Sequence, residues 1–300
     1  MWAISRCLNL FNRHKGLMGI LPALLFVIFF FVGGFVQSFF ISIGGEESFY
    51  GKYESFWAYK ELWNPSFFHS LGVTVGMAAT VSVTAGILGF IIALLLATMS
   101  YRRTWLQILF QLPFGVPHLL AAYLLAQVFM QTGWYSRVAF RLGLIDSYEA
   151  FPILLHDQWG VGVLLAYMWK EIPFIVLLIY PFLKKILEEW KDTVKMLGGS
   201  FSQMIRWVVI PILLPLWVGG MWVVFAFALG AYEIPALMAR TSFGLIPVLA
   251  WQEYTQFGLE RQPIAFAMNI ILALVSFLIG CALLMLQKNW YKKGRRAWKS

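Results

Sequence analysis

Residues 184–210 read KKILEEWKDTVKMLGGSFSQMIRWVVI. Ile186, Trp190, Val194 and Leu197 follow steps of four, four and three, which places them on one face of a helix whose other face is charged. Gly198-Gly199 ends that helix, because glycine accepts the left-handed conformation that a tight C-terminal turn demands. Ser200, with Gln203 three residues on, matches the capping box in which hydroxyl and amide satisfy each other's orphan backbone donors. The segment therefore reads as helix, glycine turn, helix, ending where Pro211 opens an apolar run. On pattern alone, an interfacial amphipathic hairpin resting on lipid is an alternative reading.

The chain on either side is that of an integral membrane protein. Of 300 residues, 60% are hydrophobic and 12% charged, whereas soluble domains run nearer a quarter charged. Hydropathy places spans at roughly 17–42, 71–99, 105–131, 160–183, 208–232 and 263–287, each long enough for about 30 Å of hydrocarbon. With alternate loops assigned to opposite sides, sixteen Lys and Arg fall on the side of the termini and of residues 184–210, and six fall on the other. Positive charge marks the cytoplasmic side, so both termini are expected inside. Trp63, Trp134 and Trp159 fall near predicted outer ends and Trp207 near an inner one, the headgroup level such rings prefer. The expected organisation is a short amino-terminal segment (1–16), a six-span all-α domain (17–287) and a basic tail (288–300) that meets anionic lipid. Glu46, Glu47, Glu54 and Glu61 lie in an outer segment of about Gly44 to His69, read as a small cap.

Several chemistries are not indicated. Cys7 and Cys281 are far apart, and His14, His69, His118 and His156 are scattered, so neither a disulfide framework nor a metal site is expected. No Gly-x-x-x-x-Gly-Lys-Ser/Thr is present, so ATP hydrolysis would have to come from another chain. No cofactor or nucleic acid is implied. Glu188, Glu189 and Asp192 sit among lysines as a solvated helix face, which argues against a membrane enzyme with clustered carboxylates. Matched halves with broken helices, expected of many secondary transporters, are not seen.

From Asp192 to Pro211 the stretch resembles the cytoplasmic signature of permease subunits in binding-protein-dependent ABC importers. That pattern is Glu-Ala-Ala, a Gly four residues after the second Ala and a Pro thirteen beyond the Gly. Here Asp192, Thr193 and Val194 stand at the Glu-Ala-Ala positions, Gly198 and Gly199 follow, and Pro211 closes the interval. Gly89 and Ala93 resemble the family's Gly-x-x-x-Ala helix, and Leu112-Pro113 with Val116-Pro117 its double-proline segment. Trp169 to Phe174 and Gly230 to Pro235 are similar to its fourth- and fifth-span patterns. The resemblance implies a six-helix permease in a bacterial inner membrane. It also implies a second permease, identical or paralogous, two ATPase subunits and an extracytoplasmic solute-binding protein. The ATPase would dock on Asp192, Thr193, Val194, Leu197, Gly198, Gly199, Ser200, Gln203 and Pro211. Within the superfamily the chain looks most like the polyamine-type group, whose relatives also move iron, thiamine or phosphonates, with sugar permeases as the alternative.

Charge within a bilayer is expensive, so Lys170, Glu171 and Glu233, with neighbouring Tyr232, are candidates for the solute pathway. A structural role stands beside that reading for each charge. Lys170 and Glu171 are adjacent, about 100° apart on a helix, and are not expected to face one partner. His118, Gln111 and Gln127 read as interhelical hydrogen-bond partners.

Overall fold

The computed structural model describes residues 2–44, 54–99, 104–240 and 243–297. Glu46, Glu47 and Lys52 of the outer segment, Arg102 and Arg103, and Lys299 of the tail lie outside the described residues. The described chain is helical, with no strand among those residues. Its elements are α1 (Trp2–Ser42), α2 (Trp57–Leu62), α3 (Pro65–Thr98), α4 (Thr104–Gly115), α5 (His118–Phe129), α6 (Trp134–Arg141), α7 (Val161–Met196), α8 (Phe201–Met204), α9 (Ile210–Gly230), α10 (Glu233–Met238), α11 (Ile246–Gln256) and α12 (Gln262–Ala297). A π-turn over Ile205–Val209 joins α8 to α9.

Among the described residues, five helical stretches are long and apolar enough to cross a membrane: Gly19–Ser42, Pro65–Thr98, Val161–Met196, Phe201–Gly230 and Leu259–Lys288. The third expected span, 105–131, is not one helix. It is broken at Val116-Pro117 into α4 and α5, twelve residues each. Pro117 carries no backbone N–H for the carbonyl of Pro113 and biases Val116 away from the helical conformation, which favours a break here. The fourth span differs as well. α7 runs unbroken for 36 residues through Pro173 and Pro181, so the first helix read in residues 184–210 is the end of that span rather than a separate element. Pro211 stands in the first turn of α9, as expected, although the helical run into it begins at Phe201 and passes through the π-turn.

The bundle centres on α3, α7 and α9. α3 starts at Asn64, whose side chain accepts from the Phe67 N–H at 2.9 Å, with Pro65 in the first helical position. Its buried stripe, Ser70, Thr74, Ala78, Val81, Ala85, Gly89 and Ala93, recurs every three or four residues and is built almost wholly of small side chains. Lipid tails are as apolar as leucine, so helices associate in a bilayer by close packing and hydrogen bonds, both of which small residues allow. A Cβ on Gly89 would stand 2.6 Å from Ile175 Cγ2 on α7, and one on Gly86 would stand 2.7 Å from Met221 on α9. Ser82 Oγ donates to Met221 O at 2.6 Å, and Trp217 Nε1 donates to Gly86 O at 2.9 Å, with Phe90 stacked on Trp217. The opposite face of α3, with Val83, Ile87, Ile91 and Leu95, is exposed and suits lipid.

Outside this centre, α1 leans on α12 and leaves residues Ile20 to Phe40 largely exposed. The end of α1 is tied to α2 by Ser42 Oγ and Tyr59 OH, 2.8 Å apart. Arg261 joins α2 to the bundle, donating to Glu253 at 2.6 Å and to Glu61 at 3.0 Å. α10 packs against α5 and α7, and its C-terminal carbonyls are held by His156, whose backbone N–H donates to Met238 O.

Candidate functional site

The glycine turn between α7 and α8 has the geometry its sequence implies. Gly198 takes φ +73°, its N–H donates to Lys195 O at 3.0 Å, and Gly199 N–H donates to Val194 O at 2.9 Å. Those two bonds satisfy carbonyls that the ending helix leaves open. Ser200 Oγ accepts from Gln203 N–H at 3.3 Å, while Gln203 Oε1 accepts from Ser200 N–H at 2.7 Å, so both halves of the capping box form. The apolar face of the helix before the turn is only partly used. Ile186 and Leu187 are buried and Val194 packs on the core, but Trp190 is 42% exposed and Leu197 82%. Leu197 therefore does not share the packed face that its spacing suggests. Met196, Leu197 and Phe201 flank the turn as exposed apolar side chains. On the charged face, Lys184 pairs with Glu188 and Lys185 with Glu189, exposed pairs one helical turn apart that contribute only about 0.3–0.5 kcal/mol each.

The second site lies deeper. A cavity of about 250 Å³ is lined by Phe114 of α4, His118 of α5, Lys170, Glu171 and Phe174 of α7, and Val223, Val224 and Phe227 of α9. Lys170 and Glu171 thus line one space despite their angular separation, because the cavity is formed between several helices and reaches both. His118 Nε2 stands 3.8 Å from Glu171 Oε1, and its ring rests on Phe227 with centroids 4.5 Å apart. Lys170 Nζ donates to Pro113 O at 2.9 Å and also to Val116 O, spanning from α7 to the break in the third span.

The other two pathway candidates do not line this cavity. Tyr232 stacks against Trp251, centroids 5.0 Å apart, in a separate cavity of about 370 Å³ with Tyr254, Phe266 and Asn269. Glu233 is the first residue of α10, after the chain breaks at Ala231-Tyr232, and it lines neither cavity. α9 ends at Gly230, so the helix interruption precedes Glu233. Sequence reasoning did not assign His118 to the cavity. The available signal was Pro117, which makes the following residue the first of a new half-helix facing the break.

Residues 85–290 match the family described as the inner membrane component of binding-protein-dependent transport systems. Among curated relatives, the sulfate transport system permease protein CysT of Salmonella typhimurium is 26% identical over 194 residues, which cover 65% of this chain and 65% of that protein. The probable sulfate permease of Prototheca wickerhamii is 28% identical over 176 residues, 57% of this chain and 65% of its own. The chain thus spans about 65% of the length of these relatives. Their named solute is sulfate, which is outside the expected set of polyamine, iron, thiamine, phosphonate and sugar. The relatives therefore give the polyamine assignment no support. A solved bacterial ABC transporter that imports the acidic polysaccharide alginate superposes with a TM-score of 0.74 at 17% identity, covering 95% of this chain and 99% of that one. The shared fold and the matched segment, which contains the glycine turn and the mid-span cavity on α7, lead to one conclusion: the chain belongs to the family of inner-membrane components of binding-protein-dependent ABC importers.

Proposed function

We propose that the chain is one permease half of an ABC importer, that solute crosses past the cavity at His118, Lys170 and Glu171, and that a separate ATPase docks on Asp192 to Gln203. One observation carries the reading. α7 runs without interruption from Lys170-Glu171 to Met196, a rise of about 39 Å at ~1.5 Å per residue, so a single rod links cavity and turn. Movement imposed at the turn reaches the cavity without an intervening loop. The exposed Met196, Leu197 and Phe201 supply an apolar surface for the docking groove. ATPase closure would then bias two packings of the bundle, a population shift driven by differential binding. A second permease, identical or paralogous, completes the pathway, and an extracytoplasmic binding protein delivers solute to it.

The solute class favoured is a small oxyanion of the sulfate kind. The named relatives support it, and so does the α5 N-terminus, which opens at His118 without a side-chain cap beside the cavity. Half-helix N-termini at mid-membrane suit anionic groups. In vesicles carrying the complete importer, Glu171→Gln and His118→Ala should assemble normally and change labelled sulfate uptake by about tenfold, equivalent to ~1.4 kcal/mol. Unchanged uptake in both variants would remove the cavity from the pathway, and uptake of putrescine in place of sulfate would overturn the solute class.

The charge distribution supports an orientation with both termini in the cytoplasm. A reporter fused after Ser300 should be cytoplasmic, and a cysteine at Lys52 should react with an impermeant reagent added outside intact cells. Labelling of that cysteine only after permeabilisation would reverse the assignment.

A further inference from the structure

Pro117 has no N–H, so the carbonyl four residues earlier, that of Pro113, loses its helical donor. The Val116 N–H donates to it at a long 3.4 Å. The carbonyl of Val116 is left open too, because α5 begins with Pro117 as its cap and its first bond runs from Ala121 N–H to Pro117 O at 2.9 Å. Within a bilayer, an interrupted helix persists where its freed backbone groups are buried in protein that satisfies them or line a water-filled cavity. The Lys170 side chain, on a residue 5% exposed, reaches both carbonyls across 57 and 54 positions of sequence.

We infer that Lys170 is a positioning residue: its Nζ caps the two carbonyls freed at Pro117, and so holds the break that places His118 at the cavity. Its adjacency to Glu171 is then a consequence of where the break lies, and solute need not touch it. Glu233 is not required as its counter-charge. This assignment is independent of which solute crosses, and its test does not use transport.

The full chain, with Cys7 and Cys281 replaced, would carry spin labels at Ile108 and Leu124, which lie on either side of the break with exposed side chains. Lys170→Met should lower the yield of monodisperse protein about fivefold or more and broaden the distance distribution, because two carbonyls lose their donor. Lys170→Arg, which keeps N–H donors on a long stem, should retain a narrow distribution. The decisive variant is Lys170→Met with Pro117→Ala. The new N–H at position 117 supplies Pro113 O from within the helix, so the double variant should recover yield and show one narrow distance near ~24 Å, that of a continuous helix. If Lys170→Met alone matches the parent in yield and distance, or if Pro117→Ala fails to rescue it, the assignment is overturned. If Lys170→Met is too poorly folded to label, the rescue by Pro117→Ala still decides the matter.

Discussion

Replacing Gly89 with leucine is expected to eliminate most recoverable folded protein. The Cβ would fall 2.6 Å from Ile175 Cγ2 and 2.7 Å from Ile175 Cβ, with Ile172 O at 3.4 Å. Isoleucine on a helix has one strongly preferred χ1 rotamer, so these atoms cannot swing aside. The helices must separate instead. Ala85 and Ala93, one turn to either side and both fully buried, would lose the close approach of α3 to α7 together with Gly89. Overpacking of this kind costs about 1–3 kcal/mol, occasionally more, a large share of the stability of a folded chain. Gly76→Leu on the same helix is the control, because its Cβ meets nothing within 4 Å. Ile175→Ala should partly restore Gly89→Leu by removing the atoms in conflict. Purification yield and thermal midpoint of the four proteins decide it, and Gly89→Leu indistinguishable from Gly76→Leu would show that this contact does not set the packing.

Gly198→Val should act in the opposite way, leaving the spans intact and disabling the turn. No atom lies within 4 Å of a Cβ at this position, so the effect comes from the backbone alone, held at φ +73°. A left-handed residue other than glycine costs roughly 1–2 kcal/mol, and a β-branched side chain is among the least tolerant. That energy shifts the equilibrium between the formed turn and its alternatives by roughly 5–30-fold. Met196, Leu197 and Phe201 would then no longer flank the turn as a fixed surface. Membrane insertion and yield should stay near the parent values, while ATPase attachment or coupled uptake in vesicles falls by a similar factor. Gly198→Asn should keep most of the coupling, since asparagine accepts this conformation best after glycine. Parent-like transport by the valine variant would refute the docking role of the turn.

Much of the architecture was legible before any coordinates, and the turn most clearly. Gly198, the Ser200 and Gln203 capping pair and the helices on either side are decided by bonds within a few residues, which sequence spacing reports directly. The long apolar runs were legible for a similar reason, since hydrocarbon thickness sets a length that composition reveals. Local reading went astray where two rules competed in one segment. Residues 105–131 are apolar enough for a single span, yet Pro117 removes the donor that a single helix needs. The end of α7 reads as a separate element because its polarity changes at Lys184, although the helix continues to Met196.

What the sequence determined by itself, then, is an apolar helical bundle with a glycine turn between α7 and α8, because each of those features rests on neighbours along the chain. The tertiary structure alone decided which charged residues meet. Lys170 reaches Pro113 and Val116, Glu171 stands beside His118, Tyr232 goes to a separate aromatic cavity, and Leu197 is left exposed. A span apolar on all sides carries no polar face to mark its orientation. Its rotation is set by where small residues such as Gly86 and Gly89 let another helix approach, and that rotation determines what each buried polar side chain can touch.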